Sequence, residues 1–176
     1  MSDPHGNLSP RAPFAGLPFK PTAGGGVVVA ERDGLGLAIV LARNGKQEAL
    51  VQRLRGQLHI ELPPGPHRTS ANDLALMGIG PGAWLAAQER GGNAFAISFA
   101  ERLRDLASIS DQSDGYAVLR LAGLRVRDTL AKLVPVDVHP LACRVGDVAT
   151  TTVAAHIGAT LWRLDDRNDG SQVFTV

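Results

Sequence analysis

The sequence predicts an α+β protein: two ferredoxin-like (split β-α-β) units packed together, with antiparallel sheets and helices on one face. Three observations carry this. From Gly25 to Ser113 the apolar runs follow one another as β-α-β-β-α-β. A second pass begins at once, with a strand, a helix and a strand pair between Tyr116 and Leu164. Hydrophobic residues are 44 % of the 176, enough for a packed interior. The expected organisation is an extended arm over 1–24, a first unit over 25–113 and a second over 114–176.

The arm carries Pro4, Pro10, Pro13, Pro18 and Pro21, which remove backbone donors and oppose both helix and central strand. Its Leu8, Phe14, Leu17 and Phe19 are unusual for a linker, so it either lies on its own domain or packs along a partner. Val27–Ala30 and Leu35–Ala42 read as two β-runs around the Asp33-Gly34 turn signal. In Gly45–Arg55, Ala49, Leu50 and Leu54 recur at helical spacing. Residues 61–72 hold three prolines and a glycine and read as a loop. Asp73–Ile79 and Ala83–Gln88 are strands joined across Gly80-Pro81-Gly82. Asn93 is placed to cap a helix reaching about Leu106, with Phe95, Phe99, Leu103 and Leu106 on one face. Ala107–Ser113 is the closing strand.

In the second unit Tyr116–Leu121 is a strand and Leu124–Val134 a helix striped by Leu124, Leu130, Ala131 and Val134. Val148–Ile157 and Ala159–Leu164 form a strand pair around Gly158, and Val173–Val176 begins another strand. Only the polar Asp165–Ser171 stands where a second helix is due. The second unit therefore reads as incomplete, leaving a sheet edge near Val173–Val176 open to a partner.

Composition excludes several classes. Lys plus Arg total 18 against 17 Asp plus Glu, without the basic excess of a nucleic-acid binder. The one cysteine, Cys143, rules out an internal disulfide framework and fits a reducing cytoplasm. No apolar run approaches the roughly 20 residues of a membrane span, and residues 1–16 lack the apolar core of a secretory signal.

No residue stands out as catalytic, cofactor-binding or metal-binding. Gly78-Ile-Gly80-Pro-Gly82 brings its third glycine one residue too early for a dinucleotide loop, and Pro81 lacks an N–H, so it reads as a tight hairpin. His5, His59, His67, His139 and His156 lack the paired spacing of structural zinc. His139, after Asp137, reads as a loop histidine bonded to local backbone, and Cys143 as a small buried residue. Ser110 and Ser113 lie in no nucleophile elbow. Asp111, Asp114, Asp165, Asp166 and Asp169 fit solvated turns. Trp84 and Trp162 read equally as core anchors or interface hot spots.

From about Leu74 onward, Gly80-Pro-Gly-Ala-Trp84-Leu85, Asp111-Gln-Ser113, Asp137-Val-His139-Pro140 and Thr160-Leu-Trp162-Arg163 together resemble the gamma subunit of heterotetrameric sarcosine oxidase. Asp111–Val134 is also similar to the start of the folate-binding aminomethyltransferase (T-protein) domain, where Asp-x-Ser-His precedes a strand and short helix; here Asp114 stands in the histidine's place. The single cysteine and the missing secretory signal place the chain in the cytoplasm; the resemblance implies a non-catalytic subunit with alpha, beta and delta partners. It implies FAD, FMN, NAD and tetrahydrofolate on those other chains, none on this one. The complex would oxidise sarcosine to glycine, giving peroxide and 5,10-methylenetetrahydrofolate. The rival expectation is a stand-alone folate-binding aminomethyltransferase-like protein for one-carbon transfer.

Overall fold

The computed structural model describes residues 11–17 and 26–175. Ten strands and three helices occur among them: β1 (Val28–Glu31), β2 (Gly36–Ala42), α1 (Gln47–Leu58), β3 (Arg68–Ala71), β4 (Leu74–Gly80), β5 (Ala83–Gln88), α2 (Ala94–Arg102), β6 (Ala107–Asp111), β7 (Leu119–Gly123), α3 (Val126–Leu133), β8 (Val148–Ala154), β9 (Ile157–Leu164) and β10 (Gln172–Thr175). The strands form two antiparallel five-stranded sheets, ordered β3-β4-β5-β2-β6 and β1-β7-β10-β9-β8.

Four strands of the first sheet, β6-β2-β5-β4, stand in the order of a split β-α-β unit, and β3 extends its edge. The second sheet repeats this plan as β1-β7-β10-β9, with β8 on the outside. Its closing strand comes from the start of the chain: Val28 lies opposite Ala122 and Glu31 opposite Leu119. This corrects two expectations. Val27–Ala30 does not pair with the next run across Asp33-Gly34; β1 crosses to the other sheet, while β2 pairs with β5 and β6. Nor is there an open edge at Val173–Thr175, because β10 is paired on both sides, by β7 and β9. No helix is needed between β9 and β10 once β1 fills the fourth place. Val176 and most of the arm lie outside the described residues. Of the arm, 11–17 forms a turn in which the Phe14 N–H donates to Glu31 on β1 at 3.0 Å.

The helices obey the apolar spacing with small shifts. Leu50 and Leu54 are the buried positions of α1. In α2, Phe95 and Phe99 stack with centroids 5.0 Å apart and bury against the first sheet. That helix ends at Arg102, short of Leu106, as the chain turns through Asp105 at φ 68°. Asn93 does not cap it through its side chain, which reaches Asp114 instead at 3.4 Å. In α3 the buried stripe is Val126, Leu130 and Val134, an i, i+4, i+8 set; Leu124 and Ala131, expected on it, are exposed.

Turn chemistry moved three strand boundaries. The expected loop over 61–72 contains β3, because its prolines stop at Pro66 and Arg68–Ala71 pairs along the free edge of β4. β7 starts three residues later than expected. The β8–β9 hairpin turns on Ala155 and His156, at φ 47° and 76°, and not on Gly158, which pairs with Val153.

The layers stack as α1 and α2, first sheet, second sheet, α3. Alternation along the strands builds three cores. Val40, Leu76 and Trp84 face α1 and α2; Leu121, Leu161 and Phe174 face α3; Leu37, Met77, Leu85, Val118 and Trp162 fill the space between the sheets. Fully burying a Leu or Phe stabilises by about 1.5–3 kcal/mol, and Leu50, Leu54, Leu76, Leu161 and Phe174 are each under 2 % exposed.

Candidate functional site

The Asp111-Gln-Ser113 segment is a local lock. The Asp111 carboxylate accepts the Ser113 N–H at 2.9 Å and the Ser113 hydroxyl at 2.7 Å, an Asx-turn that ends β6. The Ser113 Oγ in turn accepts the Leu37 N–H at 3.1 Å, and the Gln112 N–H donates to the Leu37 carbonyl at 2.8 Å. The turn thus fastens the end of β6 to the start of β2. Those bonds, the Ser113 N–H first and its hydroxyl second, hold the Asp111 carboxyl below the usual carboxylate range.

Asp137 and His139, two residues apart, do not form a carboxylate–imidazole pair. Asp137 accepts the His139 backbone N–H at 2.8 Å, and His139 Nδ1 accepts the Leu141 N–H at 3.3 Å. Cys143 is buried in the α3 core, where burial pushes its thiol up, away from thiolate chemistry. His67 pairs with Asp147 at 3.1 Å, and His156 sits in the hairpin turn. His5 lies outside the described residues. Among those described, no group of three or more His, Cys, Asp or Glu is placed to hold a metal ion.

The glycine run is the β4–β5 hairpin, its turn at Pro81-Gly82. A Cβ on Gly78 would lie 1.9 Å from the Gly65 carbonyl oxygen, so the position is needed for the close passage of the Pro63–Pro66 loop. Trp84 pins the same loop by donating its indole N–H to the Pro63 carbonyl at 2.9 Å. Trp84 and Trp162 are both buried, in the α1/α2 core and the inter-sheet core. Asp166 pairs with the buried Arg163, while Asp169 accepts the Ser171 N–H at 2.8 Å.

One polar constellation escaped the sequence reading. At one end of the inter-sheet space, Arg32, Arg68 and Arg120 line a cavity of about 140 Å³ floored by Leu35, Met77 and Trp162. Arg32 pairs with Glu89, and Arg68 donates to the Ser70 hydroxyl at 3.1 Å. Arg120 Nε and Thr175 Oγ1 are buried without a hydrogen-bond partner, and the two residues face each other across the β7–β10 ladder. Burial above all depresses the Arg120 pKa; Arg32, Arg167 and Arg68 add to that and Glu89 alone opposes it. The readable signal was Arg120 itself, a charge between Leu119 and Leu121 in an otherwise apolar strand.

The fold defines a class: two ferredoxin-like sheets face to face with helices outside. The structure of heterotetrameric sarcosine oxidase from Corynebacterium sp. U-96, in complex with pyrrole 2-carboxylate, contains a chain of this fold. The two superpose with a TM-score of 0.69 over 85 % of this chain and 75 % of that one, at 24 % identity. Glycine cleavage system aminomethyltransferase T from Bartonella henselae shares it at TM-score 0.57 and 12 % identity, over 85 % of this chain and 41 % of that one. In sequence, the chain is 31 % identical over 99 residues to sarcosine oxidase subunit gamma of Corynebacterium sp. (strain P-1), a match to 56 % of this chain and about half (48 %) of that relative's length. No family model matches the chain.

Proposed function

We propose that this chain is a gamma-type subunit of a heterotetrameric sarcosine oxidase, supporting the assembly and performing none of its chemistry. The observation that carries this is the 31 % identity over 99 residues to a sarcosine oxidase gamma subunit, beside the fold shared with a chain of the heterotetrameric enzyme. The side chains with chemical potential support the reading too: Asp111, Ser113, Asp137 and His139 hold turns, and Cys143 is packed in a core. The partners would be alpha, beta and delta subunits in the cytoplasm, and FAD, FMN, NAD and tetrahydrofolate would sit on them. The units over 25–113 and 114–176 would act as one body, because the first segment lends β1 to the second sheet. Exposed apolar residues offer a contact surface where the β8–β9 hairpin meets the end of α3: Val153, Ile157 and Leu133, joined by the Ala155 N–H to Leu133 carbonyl bond at 3.2 Å.

The test is co-expression with the large flavoprotein subunits of a heterotetrameric sarcosine oxidase, followed by size exclusion with absorbance at protein and flavin wavelengths. Stoichiometric co-elution, with the isolated chain colourless, is expected. Elution as a lone monomer overturns the subunit reading. A tetrahydrofolate titration of the free chain then addresses the aminomethyltransferase-like alternative.

A further inference from the structure

We propose that the cavity between the two sheets binds a small organic carboxylate, held by Arg120 and Arg68 at its charged end and by the apolar floor along its body. The argument begins with two buried polar atoms. Arg120 and Thr175 line the same cavity, on neighbouring strands and in register, and the Arg120 Nε and Thr175 Oγ1 are buried beside it without a partner. An unmet buried donor costs about 1–3 kcal/mol, more when it is charged. Two such groups on residues that line one space mark a place where a ligand could satisfy both.

Charge decides what that is. A water molecule would meet the hydrogen bonds but not the charge imbalance. Four arginines act at this end, Arg32, Arg68, Arg120 and Arg167, against three carboxylates: Glu89, Asp73 at the lining, and Asp165, which acts on Arg68. Glu89 is itself engaged by Arg32. Asp73 also lines the mouth, but it is exposed to solvent. The imbalance selects an anion, and a guanidinium fork suits the two oxygens of a carboxylate. The opposite wall is Leu35, Met77 and Trp162, which favours a ligand with an apolar body over a bare inorganic ion. The approach runs past Arg32 and the half-exposed Glu89, whose ion pair stands at the rim.

Sodium benzoate is the probe, titrated into the purified full chain by calorimetry at ionic strength fixed with sodium chloride, with sodium phosphate as the parallel arm. Saturable benzoate binding is expected, with phosphate much weaker. Arg120→Gln should weaken benzoate by at least about tenfold, equivalent to about 1.4 kcal/mol. Thr175→Val, near-isosteric and safe for folding, should weaken it by about fivefold. The proposal fails if benzoate does not saturate, if both variants bind it like the parent, or if phosphate binds as tightly. Co-elution with the flavoprotein subunits does not depend on this result, so the two readings fail separately.

Discussion

The Arg163 guanidinium lies 5.0 Å from the centroid of the Phe174 ring, inside the second sheet. Arg127 lies 5.1 Å from the same centroid, so two cations hold one fully buried aromatic ring. Arg163 is 2 % exposed, donates to the Val173 carbonyl at 2.9 Å and pairs with Asp166, which keeps its charge tolerable among apolar neighbours. Phe174 is therefore both core filler and cation acceptor. Phe174→Ala should cost about 3–5 kcal/mol. Phe174→Leu keeps most of the volume but loses the ring, and should still cost about 1–2 kcal/mol. Urea unfolding of the two variants separates packing from cation–π attraction; a Leu variant as stable as the parent would remove the second contribution.

Gly78 and Gly56 make a matched pair for a second test. A Cβ at Gly78 meets the Gly65 carbonyl at 1.9 Å, whereas nothing lies within 4 Å of one at Gly56, in the last turn of α1. Gly56→Ala should stabilise by up to roughly 0.5 kcal/mol, because alanine is the better helix former and the last turn feels only part of the interior preference. Gly78→Ala should destabilise by about 1–3 kcal/mol, since the Pro63–Pro66 loop must lift and take the Trp84 indole bond with it. Thermal unfolding with tryptophan emission as the signal reads both. The opposite order would mean that the loop is free to move.

Most of the fold was legible in periodicity. Leu50 and Leu54, Phe95 and Phe99, and Leu130 and Val134 are buried where the helical spacing put them. What was not legible is pairing between distant segments. Val27–Ala30 carries an ordinary strand signal, and nothing local says that its partner is β7, some ninety residues on. Asp33-Gly34 looked like a hairpin turn because turn chemistry is local and sheet membership is not. The arginine cavity escaped for the same reason. Arg32, Arg68 and Arg120 come from three separate segments, each unremarkable alone, and only the stacking of the sheets brings them together. Ser113 is the converse case: its segment was legible as a motif, while its bond to Leu37 was not.

β1 can be tested as the closing strand through Gly123. A Cβ there would lie 2.0 Å from the Gly26 carbonyl oxygen, and Gly123 also sits at φ 146°. Gly123→Ala should push the start of β1 off β7 while leaving the first sheet intact. Hydrogen exchange should then rise at Val28–Glu31 and along β7 before it rises in β2 or β5. Uniform acceleration through both sheets would mean that β1 is needed for the whole fold.

The last prediction concerns acid. The Ser113 N–H and hydroxyl lower the Asp111 pKa in the folded protein relative to the unfolded chain. A depressed carboxyl contributes stability that is fully present above the unfolded value, near 3.9, and is lost as pH falls through the folded value. Asp111→Asn keeps the shape of the turn and removes the charge. The variant should melt below the parent at pH 7, and the gap should narrow as pH is lowered from 5 towards 3. Ser113→Ala should act in the same direction and also loosen β6 from β2, because the Leu37 N–H loses its acceptor. A gap that stays constant from pH 7 to pH 3 would show that the Asp111 charge contributes nothing, and that the turn is held by shape alone.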